Sequence, residues 1–146
     1  MEDSIRFKGE IIAKLFSSDG KLKNTSFIDN AVTAYGMEGI IDQLLVVPSI
    51  NKPTHMELGT GTPTTTKLGT FIVGSRTAIA SKVRSEKSLV MQCTFPAGVG
   101  TGLVREAGVF NSGVGNAVGM YCSAYFSVFD KAAGDSLELT WTLTAL

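Results

Sequence analysis

Few side chains in this 146-residue chain are equipped for chemistry. There is one histidine, His55, and there are two cysteines, Cys93 and Cys122, in no Cys-x-x-Cys pattern. A tetrahedral zinc site takes its ligands mainly from Cys and His, and this set does not supply them without unusual help from carboxylates. A Ser-His-Asp triad would have to use His55, and no Gly-x-Ser-x-Gly elbow accompanies it. Gly59-x-Gly61 lacks the third glycine of a dinucleotide fingerprint and the lysine of a P-loop, so it reads as a loop. Glu106 is the best single carboxylate. It sits in the apolar stretch Leu103–Phe110, where an inward-facing charge is costly unless paired. Arg76, Arg84 and Arg105 are its candidate partners, and a buried ion pair or subunit contact is favoured over catalysis. No second carboxylate is tied to Glu106 by spacing, as a glycosidase would need. The expectation is therefore a non-enzymatic protein with no catalytic, cofactor-binding or metal-ligating residue.

Tyr121, Tyr125 and Phe129 recur every fourth residue along one strand face. Such a row can stack sugars or single-stranded bases. No basic residue interleaves with it before Lys131, so a second core layer or a subunit interface is the favoured reading.

Thirteen basic and thirteen acidic residues cancel, which leaves no basic field for nucleic acid. No apolar run approaches the length that spans a bilayer, and Met1-Glu2-Asp3-Ser4 does not open a secretory leader. The expectation is a chain that folds in a cytosol, without nucleic-acid or membrane partners. Charged residues are only 18% of the total, against about 25% in typical domains. Either part of the surface is covered, or a Gly- and Thr-rich β-protein carries fewer charges.

The length suits one domain, residues 1–146, large enough for a core without disulfide or metal. Ile5–Phe16 alternates as a strand, Ser17–Gly20 turns, and Lys21–Ile28 returns. The period then changes. Val32, Tyr35, Ile40, Ile41, Leu44 and Leu45 recur at helical spacing, predicting one helix near 30–45 capped by Asp29 or Asn30 and ending before Pro48. Gly36 and Gly39 should each weaken it by about 1 kcal/mol relative to Ala.

Met56–Leu58 is a short strand leading into the Gly/Thr/Pro loop 59–66, and no firm element follows until Arg76–Val83. Ser88–Pro96 alternates clearly, with Leu89, Met91, Cys93 and Phe95 on one face. Further strands are Leu103–Phe110, a run from Val118 to Val128, and one carrying Leu137, Leu139, Trp141 and Leu143. About eight antiparallel strands with one helix predict a mainly β fold, a β-sandwich of jelly-roll-like kind.

The second half carries an ordered set of motifs. Gly59-Thr60-Gly61-Thr62 precedes a Thr-rich loop; Glu106-Ala107-Gly108-Val109-Phe110 follows; Gly134-Asp135-Ser136-Leu137 leads to Trp141. The order resembles that in a group of small structural proteins of tailed bacteriophage virions, and it covers about residues 54–144. The resemblance implies a virion component made in the host cytoplasm. Within that class it implies a capsid decoration (cement) protein that binds the major capsid protein on the outer shell as a homotrimer. A tail, baseplate or fibre-associated module is the alternative. An extended N-terminal segment (residues 1–5) and loops 59–70 and 96–102 are the expected reaching elements. Two other readings compete: a carbohydrate-binding β-sandwich using Tyr121 and Tyr125, and a small hydrolase using His55 or Glu106.

Overall fold

A computed structural model describes residues 6–146. Residues 1–5, expected as an extended N-terminal segment, lie outside the described residues. The strands are β1 (Phe7–Phe16), β2 (Leu22–Val32), β3 (His55–Gly59), β4 (Thr77–Ala78), β5 (Ser81–Ser85), β6 (Ser88–Phe95), β7 (Gly102–Phe110), β8 (Met120–Lys131) and β9 (Ser136–Ala145). One helix, α1 (Ala34–Asp42), joins β2 to β3. Every strand pairing is antiparallel, and the spatial order is β4-β3-β7-β8-β2-β1-β9-β6-β5.

This single sheet curls until its two ends meet. Its edge strands, β4 and β5, are consecutive in the chain. Residues 77–78 pair with β3, and residues 81–85 pair with β6. Between them Ile79 N–H donates to Thr54 O, and Ala80 N–H to Gln92 O. At the opposite side β2 spans the gap: its first part pairs with β1, and only Ala31 and Val32 pair with β8. The result is a flattened, two-layered β structure with the core inside.

Alternation explains that core. Across β1, β9 and β6 the register aligns Ile11, Trp141 and Met91; Ala13, Leu139 and Cys93; and Leu15, Leu137 and Phe95. All nine are buried. Because side chains alternate with a period of two, three strands in this register bury three successive rows against the other layer. Met56, Leu58, Val104, Ala107, Val109 and Cys122 complete the core from β3, β7 and β8.

Three expectations are corrected. The region read as one strand from Arg76 to Val83 is two short strands, because it changes partner midway. In β8 the alternation slips: Val104 pairs with Phe129 but Glu106 with Tyr125, so β8 carries extra residues in a bulge. Phe129 therefore turns inward, where it meets Phe126 edge-on at 5.6 Å, while Val128 stays partly exposed. The helix is capped by neither Asp29 nor Asn30, which belong to β2 and pair with β1. Thr33 caps it, its hydroxyl oxygen accepting from Gly36 N–H at 2.9 Å.

Gly36 and Gly39 also have a role that propensity hides. A Cβ on Gly36 would strike the backbone carbonyl of Tyr121, and one on Gly39 would strike the Tyr121 phenol. They are the close-approach face by which α1 packs on β8.

Candidate functional site

The charged groups with chemical potential gather on the outer face of β3 and β7, beneath the loop 60–76. Glu57 lies opposite Gly108, and Glu106 opposite Gly59, so the two carboxylates stand on one face at diagonal positions. Diagonal neighbours in an antiparallel pair are about 7–8 Å apart. This second carboxylate was missed in sequence, because it requires the register of two strands 40-odd positions apart in the chain, and neither strand alone shows it.

Both carboxylates are buried and occupied. Glu106 accepts from Gly69 N–H at 3.1 Å and Thr70 N–H at 2.8 Å. Among the described residues no arginine pairs with it; Arg76 goes to Glu57 instead, at 3.0 and 3.2 Å. Glu57 also accepts from Asn116 N–H at 3.1 Å. The Arg76 guanidinium donates onward to Ser112 O and Ala117 O, both at 3.0 Å, and stacks on Phe110 at 3.6 Å. A general acid or nucleophile needs a lone pair or proton facing substrate. Here the oxygens face backbone amides and a guanidinium. The arrangement fastens the 60–76 and 111–119 loops to the sheet, and Leu68, Phe110 and Met120 form a small second core there, with Phe71 against it.

The other chemistry-bearing residues are dispersed. His55 is half-buried, with Nδ1 2.8 Å from Thr54 Oγ1. Burial, with the nearby Arg76 charge, holds its pKa below the usual value, so the ring is neutral at pH 7. Cys93 and Cys122 are free and buried, and burial pushes both thiols up to about 12. The aromatic row is split. Tyr121 is buried, its hydroxyl donating to Asn51 O at 2.7 Å and its ring edge-on to Tyr35. Phe129 is in the core, and only Tyr125 stands in solvent.

Lys131 is buried too, donating to Pro96 O at 3.1 Å and Asp135 O at 2.6 Å. Asp135 in turn accepts from Ala132 N–H and pairs with Lys23 at 2.7 Å. The residues of the Gly134-Asp135 motif thus lock the β8–β9 turn to β2 and to the 96–102 loop.

The expected reaching loops are tied down: Thr60 N–H donates to Thr70 O, Thr64 N–H to Lys67 O, and Gly98 N–H to Ala133 O. The outstanding exposed apolar element lies elsewhere, at the end of α1. Ile41, Leu44, Leu45, Val46 and Val47 are 55%, 82%, 56%, 101% and 80% exposed. Helical spacing places Ile41, Leu44 and Leu45 in one helix near 30–45. The helix instead stops at Asp42, whose carboxylate accepts from Ser49 and Ile50 N–H at 2.8 and 2.7 Å and holds the following loop.

No family model, curated protein or solved structure matches the chain.

The surface also has several concavities, two of them beside exposed apolar residues. One is an open cleft of about 730 Å³ where β2 splays from β8, lined by Phe27, Asp29, Arg105 and Tyr125 among others. The other is an apolar pocket of about 550 Å³ between α1 and the β5–β6 edge.

Proposed function

We propose that this chain is a non-enzymatic structural component of a bacteriophage virion, a capsid decoration protein that binds the outer shell as a homotrimer. The observation carrying this reading is the apolar ridge Ile41–Val47. Exposed apolar residues scattered singly are ordinary, but five within seven positions, held by an internal clamp, suit a surface that another protein covers. The motif residues behind the virion resemblance add support, since Glu106, Phe110 and Asp135 all fasten loops to a stiff β scaffold. Such a scaffold suits a role in which many modest contacts act together. A tail, baseplate or fibre-associated position is the alternative within the same class.

Copy number separates them. Purified particles run on a quantitative gel should show this chain in amounts comparable with the major capsid protein. A small fraction of that amount would place it in the tail or at a vertex. Absence from particles would end the virion reading.

A second reading, glycan binding, draws on one observation: Tyr125 and Phe27, 56% and 77% exposed, flank the cleft that also holds Arg105 and Asp29. Tyr121 takes no part, being buried. A glycan array that shows binding lost in Tyr125→Ala would favour it; no binding by the parent would remove it.

A further inference from the structure

The apolar ridge and the apolar pocket lie side by side, with Gln43 lining the pocket one residue before Leu44. The pocket takes its walls from Leu89, Met91, Val109 and Leu143, and carries two exposed cations, Lys52 and Lys82. Among the described residues no acidic one lines it. Beside the ridge stands the opposite charge: Glu38 is an exposed carboxylate next to Met37, Ile41 and Leu45 on the outer side of α1, while the Asp42 carboxylate is taken up by Ser49 and Ile50. Val46 is fully exposed, so the ridge does not fill the pocket of its own chain.

We propose that the Leu44–Val47 ridge of one copy seats in the Lys52/Lys82 pocket of a second copy. Apolar ridge meets apolar pocket, and Glu38 approaches a lysine edge, so burial supplies the attraction while charge sets the orientation. The pocket volume falls within the range of pre-formed binding sites. The Asp42 clamp orders the ridge before contact, which lowers the entropic cost of docking. Ridge and pocket are different surfaces, so a one-way contact propagates head to tail, as a ring where the rotation per copy closes and as an open filament where it does not, whereas a mutual exchange gives a two-fold dimer. The inference rests on the homotrimer reading only for the number of copies.

Sedimentation of the full chain at micromolar concentration is the first test, with Val46→Asp/Val47→Asp as the variant. Both residues are exposed, so circular dichroism should be unchanged while self-association weakens at least tenfold. The second test mixes two single variants, Val46→Cys and Lys82→Cys, under mild oxidation. A disulfide-linked pair containing one of each requires the ridge of one copy to meet the pocket of another. Both variants carry Cys122→Ser, because Cys122 itself lines the pocket. A monomeric parent, association indifferent to the double Asp variant, or mixed cysteines that fail to link would each overturn the proposal. So would a monomer whose pocket takes up the amphiphilic anion anilinonaphthalene sulfonate regardless of the ridge, which would assign the pocket to small amphiphiles. A monomeric parent would also remove the homotrimer from the proposed function, whereas presence in particles is decided separately by the copy number.

Discussion

Glu57 and Arg76 form a buried two-pronged ion pair, Nε to Oε2 at 3.0 Å and Nη2 to Oε1 at 3.2 Å, with both side chains almost wholly out of solvent. The guanidinium is also the common donor to the 111–119 loop, so the pair joins three segments.

Removing one member should be costly. Glu57→Gln or Arg76→Ala leaves a buried charge or its hydrogen bonds unmet, a loss of about 3–5 kcal/mol. Arg76→Lys should recover little, because an ammonium cannot reproduce the fork or stack on Phe110 in the same way. Urea denaturation measures both. A loss below about 1 kcal/mol would mean that the loops are held by other contacts.

Glu106 makes a different prediction, because its partners are amides. Glu106→Ala strands the Gly69 and Thr70 N–H groups and should cost about 1–3 kcal/mol. Glu106→Gln keeps one acceptor oxygen and should fall between. Amide hydrogen exchange at Gly69 and Thr70 should accelerate selectively. Unchanged protection at both amides in the Ala variant would assign loop closure to the Leu68–Phe71 packing.

Gly36→Ala tests helix propensity against packing. In an open helix the change would stabilise by about 1 kcal/mol. Here the new methyl meets the Tyr121 carbonyl, which is backbone and cannot rotate away. The midpoint of thermal unfolding should fall. A rise would mean that α1 can lift from β8 without loss.

This helix also shows what was legible in the sequence. Its existence and place could be read from the change of period at Val32. Which face it buries could not, because the two glycines that seat it are silent to hydrophobicity. The strands with strict alternation, β1, β6 and β9, were readable nearly to the residue, since each presents one inner and one outer face. β8 was readable only as far as its bulge, where spacing alone predicts Val128 inside. The Glu57–Glu106 diagonal and the β4–β5 closure depend on pairing between distant segments, which no local pattern encodes.

Titration should reveal the buried thiols. Below about pH 8.5 both folded and unfolded chains keep the cysteine protons. Between there and about 12 only the unfolded chain releases them, so stability falls as pH rises through that window. Tyr121, also raised to about 12 by burial, adds to the fall above about pH 10. Lys131 opposes it: burial lowers its folded pKa, so its contribution rises with pH until the unfolded lysine titrates near 10.4. Three groups outweigh one, and the urea midpoint at pH 10.5 should lie below that at pH 8. A higher midpoint would show that Lys131 outweighs the thiols and Tyr121 over this range.

On the acid side Asp135 acts alone in the β8–β9 turn. Its hydrogen bond from Lys23, then that from Ala132 N–H, holds its pKa below the usual carboxylate range. The stability it adds is complete above about pH 3.9 and is lost as pH falls through the folded value. Lys23→Ala should shrink that acid-dependent component. An unaltered acid profile would leave the amide of Ala132 as the only significant partner.

β1 pairs with β9 along its whole length, from Phe7 against Ala145 to Phe16 against Ser136. During synthesis β1 must therefore wait for β9. Until Leu137, Leu139 and Trp141 emerge, Ile11, Ala13 and Leu15 have no second neighbour, and β6 has none on that side either. Folding of the core therefore waits for β9 and is slowed by the closure of a very long loop. Nascent copies expose sticky strands for that interval, and crowded production would reward a cell that keeps them apart.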